Sequence, residues 1–403
     1  MRILIADKMA PQVVPSLEAN GCAVTIDPSL SDTPLEQAIM DADPQVLVVR
    51  STKVQENHLA AARSLSLVVR AGAGVNTIAV DQASERGIYV ANCPGKNAAA
   101  VAELALGHIL NADRRIADNV AALRDGKWSK KQFAKGCRGL KGRTLGLLGM
   151  GNIGAEVAKR AQAFDMNVVA WDISLTPERA VRLGISQADG PVEVAQQADV
   201  LSVHIALNEH TRGLVSDEVL SALKPGAIFI NTSRGPVVDE QALSRAVQTN
   251  DLKCGLDVFC NEPGADGEWT TPLATLSSVY GTHHIGASTE EASESVGDEV
   301  IRIVRSWQDE GVVPNCVNLA HASLASHLLV VRHKDKIGVL AGVLDCLKQG
   351  NINVQEMQNI VFQGGSAACA HIQVSHAPSA PLIEKLQQQE FVLAVDVVEL
   401  ERT

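Results

Sequence analysis

The chain lacks the features that would place it in a membrane, on nucleic acid or outside the cell. None of its apolar runs approaches the ~20 residues that a membrane span needs. The apolar stretch after Met1 is too short for a signal peptide and predicts a first β-strand. The net charge of −11 argues against nucleic-acid binding, which requires a basic face. A soluble protein is expected, and any anionic substrate would have to be held by local cations.

A paired-cysteine pattern is also missing. The 8 cysteines are scattered and form no Cys-x-x-Cys pair, which argues against a disulfide framework or a zinc site. We therefore expect a protein of the reducing cytoplasm without a metal site. The length of 403 residues exceeds what one hydrophobic core supports, so two or three domains are expected.

What is present is a repeated alternation of short apolar strands and helical stretches, which is typical of α/β folds with doubly wound parallel sheets. The first run predicts strands at Arg2–Asp7, Ala23–Asp27, Val46–Arg50, Leu67–Arg70 and Ile88–Cys93. A long Ala-rich helix is predicted from about Asn97 to Arg124. The second run predicts strands from Leu145 and at Val168–Asp172, Val200–Ile205, Ala227–Thr232, Gly255–Phe259 and Val279–Thr282.

The last part of the chain has a different order of elements. A helix is predicted from Thr289 to Glu310 and a linker at Gly311–Ala325. The segment that follows predicts β-α-β-β-α-β, a ferredoxin-like unit. Its predicted elements are His327–His333, Gly338–Gln349, Val354–Phe362, Ala367–His376, Pro381–Gln389 and Leu393–Leu400. We interpret it as a third domain.

A glycine-rich turn follows the first strand of the second run. The motif consists of Gly149, Gly151 and Gly154 with Asn152 and Ile153 between them. In a strand-turn-helix context such glycines permit a tight turn and close approach of a pyrophosphate to the helix N-terminus. Asp172 ends the next predicted strand, where a carboxylate accepts the ribose hydroxyls of NAD and repels the 2′-phosphate of NADP. NAD is the expected cofactor.

Three titratable residues follow later strands of the same run. Arg234, Glu262 and His284 should all project from the edge that carries the glycine turn, because ligands bind beyond the carboxyl ends of parallel strands. Arginine can hold a carboxylate, imidazole can take up a proton near neutral pH, and a neighbouring glutamate orients the imidazole. Singly, each residue has an ordinary structural explanation. Together they predict oxidation of a small 2-hydroxy acid.

The segments around these residues resemble motifs of the D-2-hydroxyacid dehydrogenases. They are Asn231–Gly235, Leu256–Pro263 and His284–Thr289. The resemblance implies a substrate domain at 1–93 and 289–319 and a Rossmann NAD-binding domain at 94–288. It implies that Arg234 binds the substrate carboxylate, Glu262 tunes the base and His284 is the acid/base. Further expected cofactor contacts are His204, Thr232, Asp257, His284 and Gly286.

Other segments resemble members of that family that act on 3-phosphoglycerate. They are Val49–Lys53, Arg70–Asn76, Asn92–Asn97 and Asp125–Trp128. Residues 124–143 carry eight cations against one acid, and in the family a neighbouring subunit lends a basic residue to the phosphate site. The expected substrate contacts are Arg50, Ser51, Arg70, Gly72, Asn97, Lys130, Lys131, Arg234 and His284. A homo-oligomer, dimer or tetramer, is expected.

The third predicted domain, taken as 320–403, resembles ACT domains, which bind amino acids between paired copies. The expected effector is L-serine, the end product of the biosynthetic pathway that such enzymes begin. Its candidate ligands are His333, Asp335, Asn351 and Asn353. Asp335 stands where serine-regulated relatives tend to have asparagine. The alternative is a domain that only assembles oligomers.

The sequence departs from the family pattern at two positions, and two alternative functions remain open. His283 and Ala206 stand where the family usually has proline, and His284 is chosen because it begins the matching motif. The first alternative is another enzyme of the family, acting on glycerate, lactate or 2-hydroxyglutarate. The second is a catalytically idle NAD-sensing protein. Neither alternative has an evident use for Arg50 and the basic segment together with a third domain.

Overall fold

The computed structural model of the chain describes residues 1–263, 267–320 and 323–400. The chain divides into two compact units, residues 1–318 and 319–403. Two residues of the predicted linker, 321 and 322, lie outside the described residues, as do residues 401–403 of the predicted third domain. Within the described part, no helix is both long and apolar enough to cross a membrane.

The first unit begins with a five-stranded parallel sheet in the order β2-β1-β3-β4-β5. Its strands are β1 (Arg2–Ile5), β2 (Ala23–Ile26), β3 (Val46–Val49), β4 (Leu67–Arg70) and β5 (Tyr89–Asn92). The helices between them are α1 (Val13–Ala19), α2 (Asp32–Ala42), α3 (Glu56–Ala61) and α4 (Val80–Glu85). The strand β3 is buried along its whole length, as expected of a strand covered on both faces. The five predicted strands are confirmed.

The single long helix predicted after this sheet is wrong. The chain forms α5 (Ala98–Arg114) and α6 (Ile116–Arg124), followed by a short α7 (Lys130–Ala134). The break lies at Arg115, which has a left-handed conformation with φ of 50°. The Asn111 side chain accepts from the Ala117 N–H, and the Asn119 side chain donates to the Arg115 carbonyl. These amides satisfy the backbone groups that the break leaves unpaired.

The second sheet has seven parallel strands in the order β12-β11-β10-β9-β6-β7-β8. They are β6 (Thr144–Leu148), β7 (Asn167–Trp171), β8 (Ser186–Gln187), β9 (Val200–Val203), β10 (Ile228–Asn231), β11 (Lys253–Leu256) and β12 (Val279–Gly281). The helices are α8 (Asn152–Ala163), α9 (Pro177–Leu183), α10 (Pro191–Gln197), α11 (Asp217–Ser221) and α12 (Glu240–Thr249). The strand order reverses direction at β6, so the crevice beyond the carboxyl ends of β6 and β9 is where such sheets bind ligands.

Two details of this sheet differ from the prediction. The strand predicted at Gly255–Phe259 runs from Lys253 to Leu256, because the chain then turns and the Phe259 N–H donates to the Glu262 carboxylate. The two-residue edge strand β8 was not predicted, since so short a segment has no apolar period.

Helix α13 (Glu290–Glu310) returns the chain to the first sheet. Its apolar side chains, including Val300 and Ile303, are buried in the core that contains Ile3 and Ile5. The two sheets thus have separate cores within one compact unit, and the crevice between them contains the strand ends of both.

The second unit is an antiparallel sheet in the order β14-β15-β13-β16 with two helices. Its elements are β13 (His327–Lys334), α14 (Val339–Gln349), β14 (Val354–Val361), β15 (Ala367–Val374), α15 (Ala380–Gln387) and β16 (Val392–Glu399). The predicted β-α-β-β-α-β order is confirmed. An amphipathic period in each helix buries Val343, Leu347 and Leu386 against the sheet.

Candidate active site

The glycine turn between β6 and α8 has the geometry of a phosphate cradle. Gly149 has φ of +99°, and a Cβ there would lie 2.7 Å from the His204 carbonyl oxygen. A Cβ on Gly154 would lie 2.1 Å from the Gly149 carbonyl oxygen. At Gly151, in contrast, no described residue other than its chain neighbours has an atom within 4 Å of the Cβ position, so the backbone faces open space. A pyrophosphate can approach the N-terminus of α8 there.

Asp172 follows β7 and lies beside this turn. Its Oδ2 accepts from the Met150 N–H at 2.7 Å, and its Oδ1 accepts from the Ser174 N–H and hydroxyl. Partial burial raises the pKa of Asp172, but these hydrogen bonds and the Arg179 charge outweigh burial and hold the pKa below its usual range. The carboxylate is therefore ionised near neutral pH and can accept further hydrogen bonds.

Buried polar atoms without partners mark the rest of the crevice. Such atoms are rare, because each costs about 1–3 kcal/mol. Six side-chain atoms of this kind occur in the described part of the chain, and four belong to predicted site residues. The four are Arg70 Nε, Asn97 Oδ1, His204 Nδ1 and Thr232 Oγ1. Burial also lowers the pKa of His204 to about 3, so its ring is neutral.

Two of the three predicted catalytic residues, Glu262 and His284, are in direct contact. His284 Nδ1 lies 2.7 Å from Glu262 Oε2, and the other oxygen of Glu262 accepts from the Phe259 N–H. Burial raises the pKa of Glu262, but the hydrogen bond from His284 and that N–H outweigh it and bring the pKa below its usual range. Glu262 is thus a carboxylate that orients the imidazole and leaves Nε2 of His284 for a substrate. His283 has no such partner in the described structure.

Asp257 lies beneath this pair and is only 1% exposed. Its Oδ1 accepts from Ile285 N–H and the Thr282 hydroxyl, and its Oδ2 accepts from Gly286 N–H. The Asp257 carboxylate therefore holds the backbone that carries His284. The predicted cofactor contacts of Asp257 and Gly286 stay predictions, because the Asp257 carboxylate and the Gly286 N–H are already bonded to each other.

Three arginines converge on the crevice from both sheets. Arg234 reaches from the end of β10 toward the loop after β4, where its Nη2 would lie 2.9 Å from a Cβ on Gly74. The Arg70 guanidinium lies over Gly72, and Arg50 Nη2 reaches the Ala287 carbonyl at 3.5 Å. Burial, with the nearby Arg234 charge, lowers the pKa of Arg70 to about 10.

These arginines form no ion pair with the residues that the structure describes. In the described structure, none of the three guanidinium groups lies within 4.0 Å of an acidic side chain. Adjacent unpaired cations in a partly desolvated crevice repel one another, so the arrangement favours binding of an anion.

Asp7, which sequence reasoning missed, supports one side of the crevice. Its carboxylate accepts from the backbone N–H groups of Arg50, Ser51 and Thr52 and from the Ser51 hydroxyl. The predicted substrate contact of Ser51 would thus involve a hydroxyl that already donates to Asp7. The strand-end rule that indicated Arg234 could have found Asp7, which follows β1.

Two other residues were also missed. Arg179, on α9, donates to the Met150 carbonyl at 2.5 Å and so lies beside the glycine turn. His108, on α5, lies 3.0 Å from the Thr282 hydroxyl. Neither is near a motif in sequence, so only the packing of their helices against the sheet could reveal them.

Three predicted site residues lie outside the crevice of their own chain. For Lys130 and Lys131, which are predicted to reach a neighbouring subunit, the assignment stays a prediction. Lys130 and Lys131 are exposed on α7, and in the described structure neither bonds to a residue of the crevice. His333 is 1% exposed, with its ring bonded to the Lys334 carbonyl and the Asn359 amide, so direct contact with an effector is not supported. Burial of the inward face of β13 is the physical reason.

The remaining effector candidates do not meet within one chain. Lys334, at the end of β13, pairs with Ala367 at the start of β15, whereas Val354 pairs with Val374 at its other end. Asp335 therefore lies at the opposite end of the sheet from Asn351 and Asn353, roughly 25 Å away along an eight-residue strand.

Comparisons with known proteins agree with this geometry. A family model described as D-isomer specific 2-hydroxyacid dehydrogenase, NAD binding domain, matches residues 106–286. The chain is 36% identical over 365 residues to a D-3-phosphoglycerate dehydrogenase of Methanocaldococcus jannaschii, covering 89% of this chain and 67% of that protein. A hydroxypyruvate reductase of Thermotoga maritima is 44% identical over 258 residues, covering 64% of this chain and 82% of the relative.

A second D-3-phosphoglycerate dehydrogenase, from Mycobacterium bovis, is 38% identical, with 88% of this chain and 66% of that protein covered. The chain thus spans about two thirds of the length of these relatives. Among solved structures, NAD⁺-bound 3-phosphoglycerate dehydrogenase of Entamoeba histolytica has a TM-score of 0.66 at 27% identity, covering 79% of this chain and 99% of that one.

The predicted family resemblance is confirmed by the sequence match, the NAD-binding domain and the two parallel sheets of Rossmann type. The chain belongs to the D-isomer specific 2-hydroxyacid dehydrogenases.

Proposed function

We propose that the chain is an NAD-dependent D-3-phosphoglycerate dehydrogenase that oxidises 3-phospho-D-glycerate to 3-phosphonooxypyruvate, the first step of L-serine biosynthesis. The observation that carries the proposal is the convergence of Arg50, Arg70 and Arg234 beside the His284–Glu262 pair. A substrate with a carboxylate at one end and a phosphate at the other matches cations from both sheets. Several relatives that cover most of this chain bear that enzyme's name.

In this proposal the cofactor site consists of the glycine turn between β6 and α8 and of buried polar atoms that lack partners in the described structure. The N-terminus of α8 at Gly151, Asn152 and Ile153 binds the pyrophosphate, with Gly149 and Gly154 shaping the turn. Asp172 accepts from the adenosine ribose. Thr232 Oγ1 and His204 Nδ1, which are buried and lack partners among the described residues, are further candidate contacts of the cofactor. NAD⁺ held there would supply the acceptor for the hydride at C2 of the hydroxy acid.

The chain's own residues accept the hydroxyl proton of the substrate and bind its carboxylate and phosphate groups. His284 Nε2 takes the C2 hydroxyl proton while Nδ1 donates to Glu262, whose negative charge stabilises the imidazolium that forms. Arg234 binds the carboxylate with two donors of its planar fork. Arg50 and Arg70, with Ser51, Gly72 and Asn97 around them, face the phosphate end. Lys130 or Lys131 of a second copy completes that end in a homo-oligomer.

A reducing compartment suits this protein. All eight cysteines are free, and Cys93 and Cys254 are buried, so the fold uses thiols as small apolar side chains. We infer a cytoplasmic enzyme.

The proposal predicts that NAD⁺ reduction is fastest with 3-phosphoglycerate when it is compared with glycerate, lactate and 2-hydroxyglutarate. The substitution His284→Ala should lower kcat by about two to four orders of magnitude because the proton acceptor is lost. Affinity for NADH, measured by fluorescence, should change little. His283→Ala is the matched control and should be mild. Preference for an unphosphorylated acid would indicate another enzyme of the family, and inactivity on all four would indicate an NAD-sensing protein.

Arg50→Ala should raise KM for 3-phosphoglycerate by about 10- to 100-fold, the equivalent of one charge-assisted hydrogen bond of about 1.5–3 kcal/mol. KM for glycerate should barely change, because that substrate has no phosphate. Arg245→Ala is a suitable control, since the ion pair of this arginine among the described residues is with Asp217 on the surface. Equal losses on both substrates would show that Arg50 acts through its contact with the Ala287 carbonyl.

Asp172→Ser should weaken NADH binding and strengthen NADPH binding by about tenfold each, because the variant loses a ribose acceptor and the charge that repels a 2′-phosphate. Arg179 lies beside the site and supplies a cation for that phosphate. Adding Arg179→Ala to the Asp172→Ser variant should therefore abolish the gain. Titration of each protein with both reduced cofactors measures this. A wild-type preference for NADPH would contradict the assignment.

We further infer that the second unit is an ACT domain that pairs with a second copy and binds L-serine. Its edge strand β14 has one neighbour in the described sheet and carries the half-exposed side chains of Met357, Ile360 and Val361. An unpaired apolar edge of this kind favours pairing with another strand. Antiparallel pairing of two β14 edges would bring Asp335 of one copy near Asn351 and Asn353 of the other, which no single chain can do.

Serine at millimolar concentration should lower kcat without competing with 3-phosphoglycerate, because binding at the interface would restrain the motions that turnover requires. Asn353→Ala and Asp335→Ala should each abolish the inhibition and leave the basal rate unchanged. Glu384→Ala, on the exposed surface of α15, is the control. Steady-state rates and sedimentation of the same samples test both parts. If serine leaves the wild-type rate unchanged and the oligomer is intact, the domain only assembles subunits.

A further inference from the structure

The backbone at His284 is strained. His284 has φ of +53°, in the left-handed region that a residue with a Cβ adopts only at some cost. Its own N–H donates to the Asp257 carbonyl oxygen at 2.8 Å. The next two N–H groups, of Ile285 and Gly286, donate to the two oxygens of the Asp257 carboxylate at 2.9 and 2.8 Å. One aspartate therefore accepts from three consecutive N–H groups, and these bonds hold the strained conformation.

The Asp257 carboxylate is itself held from the other side. The Thr282 hydroxyl lies 2.6 Å from Asp257 Oδ1 and 3.0 Å from His108 Nε2. A carboxylate can only accept, so the Thr282 proton points to Asp257 and the Thr282 oxygen accepts from His108. Burial lowers the pKa of His108, although the Asp257 charge acts in the opposite direction, so the ring is neutral and its proton is on Nε2.

The His108 ring has a fixed position because helix α5 packs closely against the sheet. A Cβ on Gly255 would lie 2.5 Å from the His108 Cβ and 2.8 Å from its Cγ. Glycine in β11 thus leaves the space that this imidazole fills, two residues before Asp257. Helix α5, strand β11 and the loop after β12 are thus joined by one chain of hydrogen bonds, which ends at the backbone of His284.

We propose that His108 and Thr282 are positioning residues that, through Asp257, hold His284 in its left-handed conformation with Nδ1 on Glu262. Neither side chain bonds to the crevice itself, and the mechanism above gives neither a role. This inference deepens the proposed function and depends on it for its kinetic consequence. Loss of the chain of bonds would let the 284–286 segment relax, and displacement of an acid/base by about 1 Å costs up to about 100-fold in rate.

The first test compares substitutions that remove the bonds with substitutions that keep them. Thr282→Val and His108→Leu should each lower kcat by about 10- to 100-fold, with KM for the hydroxy acid and the NADH dissociation constant changed by less than about threefold. Thr282→Ser and His108→Gln retain a hydroxyl and a donor and should restore most of the rate. The double variant Thr282→Val/His108→Leu should be no slower than Thr282→Val alone, because both interrupt one chain.

The second test is independent of turnover. Hydrogen exchange of the peptide that contains Ile285 and Gly286 should be at least several-fold faster in Thr282→Val and His108→Leu than in wild type. Thr249→Val is the matched control, because it removes a hydroxyl whose partner among the described residues is the Arg245 carbonyl in α12. It should change neither exchange in this peptide nor kcat, and melting temperatures identify any variant that fails to fold.

Three results would overturn the proposal. They are unchanged exchange in that peptide, a kcat for Thr282→Val within about twofold of wild type, and a rate for Thr282→Ser as low as that for Thr282→Val. If the wild-type chain oxidises no 2-hydroxy acid, the proposed function fails. The exchange experiment still decides in that case whether His108 and Thr282 hold the 284–286 segment.

Discussion

Three aspartates, each within two residues of the end of a parallel strand, hold the loops of the site through backbone N–H groups. Asp7 follows β1 and accepts from three N–H groups of the turn after β3. Asp172 follows β7 and accepts from the N–H groups of Met150 and Ser174. Asp257 follows β11 and accepts from the loop after β12. In each case the carboxylate accepts from a loop that follows another strand, so charge-assisted hydrogen bonds connect the ends of different strands.

These hydrogen bonds between strand ends explain how the crevice can hold charged, unpaired and strained groups close together. The arginines of the two sheets approach one another, buried polar atoms lack partners, and His284 has a strained backbone. Each of these features would relax in a loosely held loop. Rigid strands with charge-assisted bonds at their ends make the relaxation costly, so the site is organised before any ligand binds.

The second unit obeys a different constraint. In a β-α-β-β-α-β sheet, β13 and β14 are parallel to each other, and both pair with the antiparallel β15. The loop after β13 and the loop before β14 must therefore lie at opposite ends, whatever the residues in them. A ligand site that uses both loops has to be shared between two copies, which couples any effector binding to assembly.

The sequence alone predicted the two parallel sheets, the order of elements in the last domain and the family, and it indicated Arg234, Glu262 and His284 as candidates for one site. These depend on local periodicity and on the rule that parallel strands end at one edge, so neighbours along the chain suffice. It could not determine the break at Arg115, the burial of His333, or the contacts of His108 and Arg179. Those depend on which helix face meets which strand, and packing between residues far apart in the chain decides that.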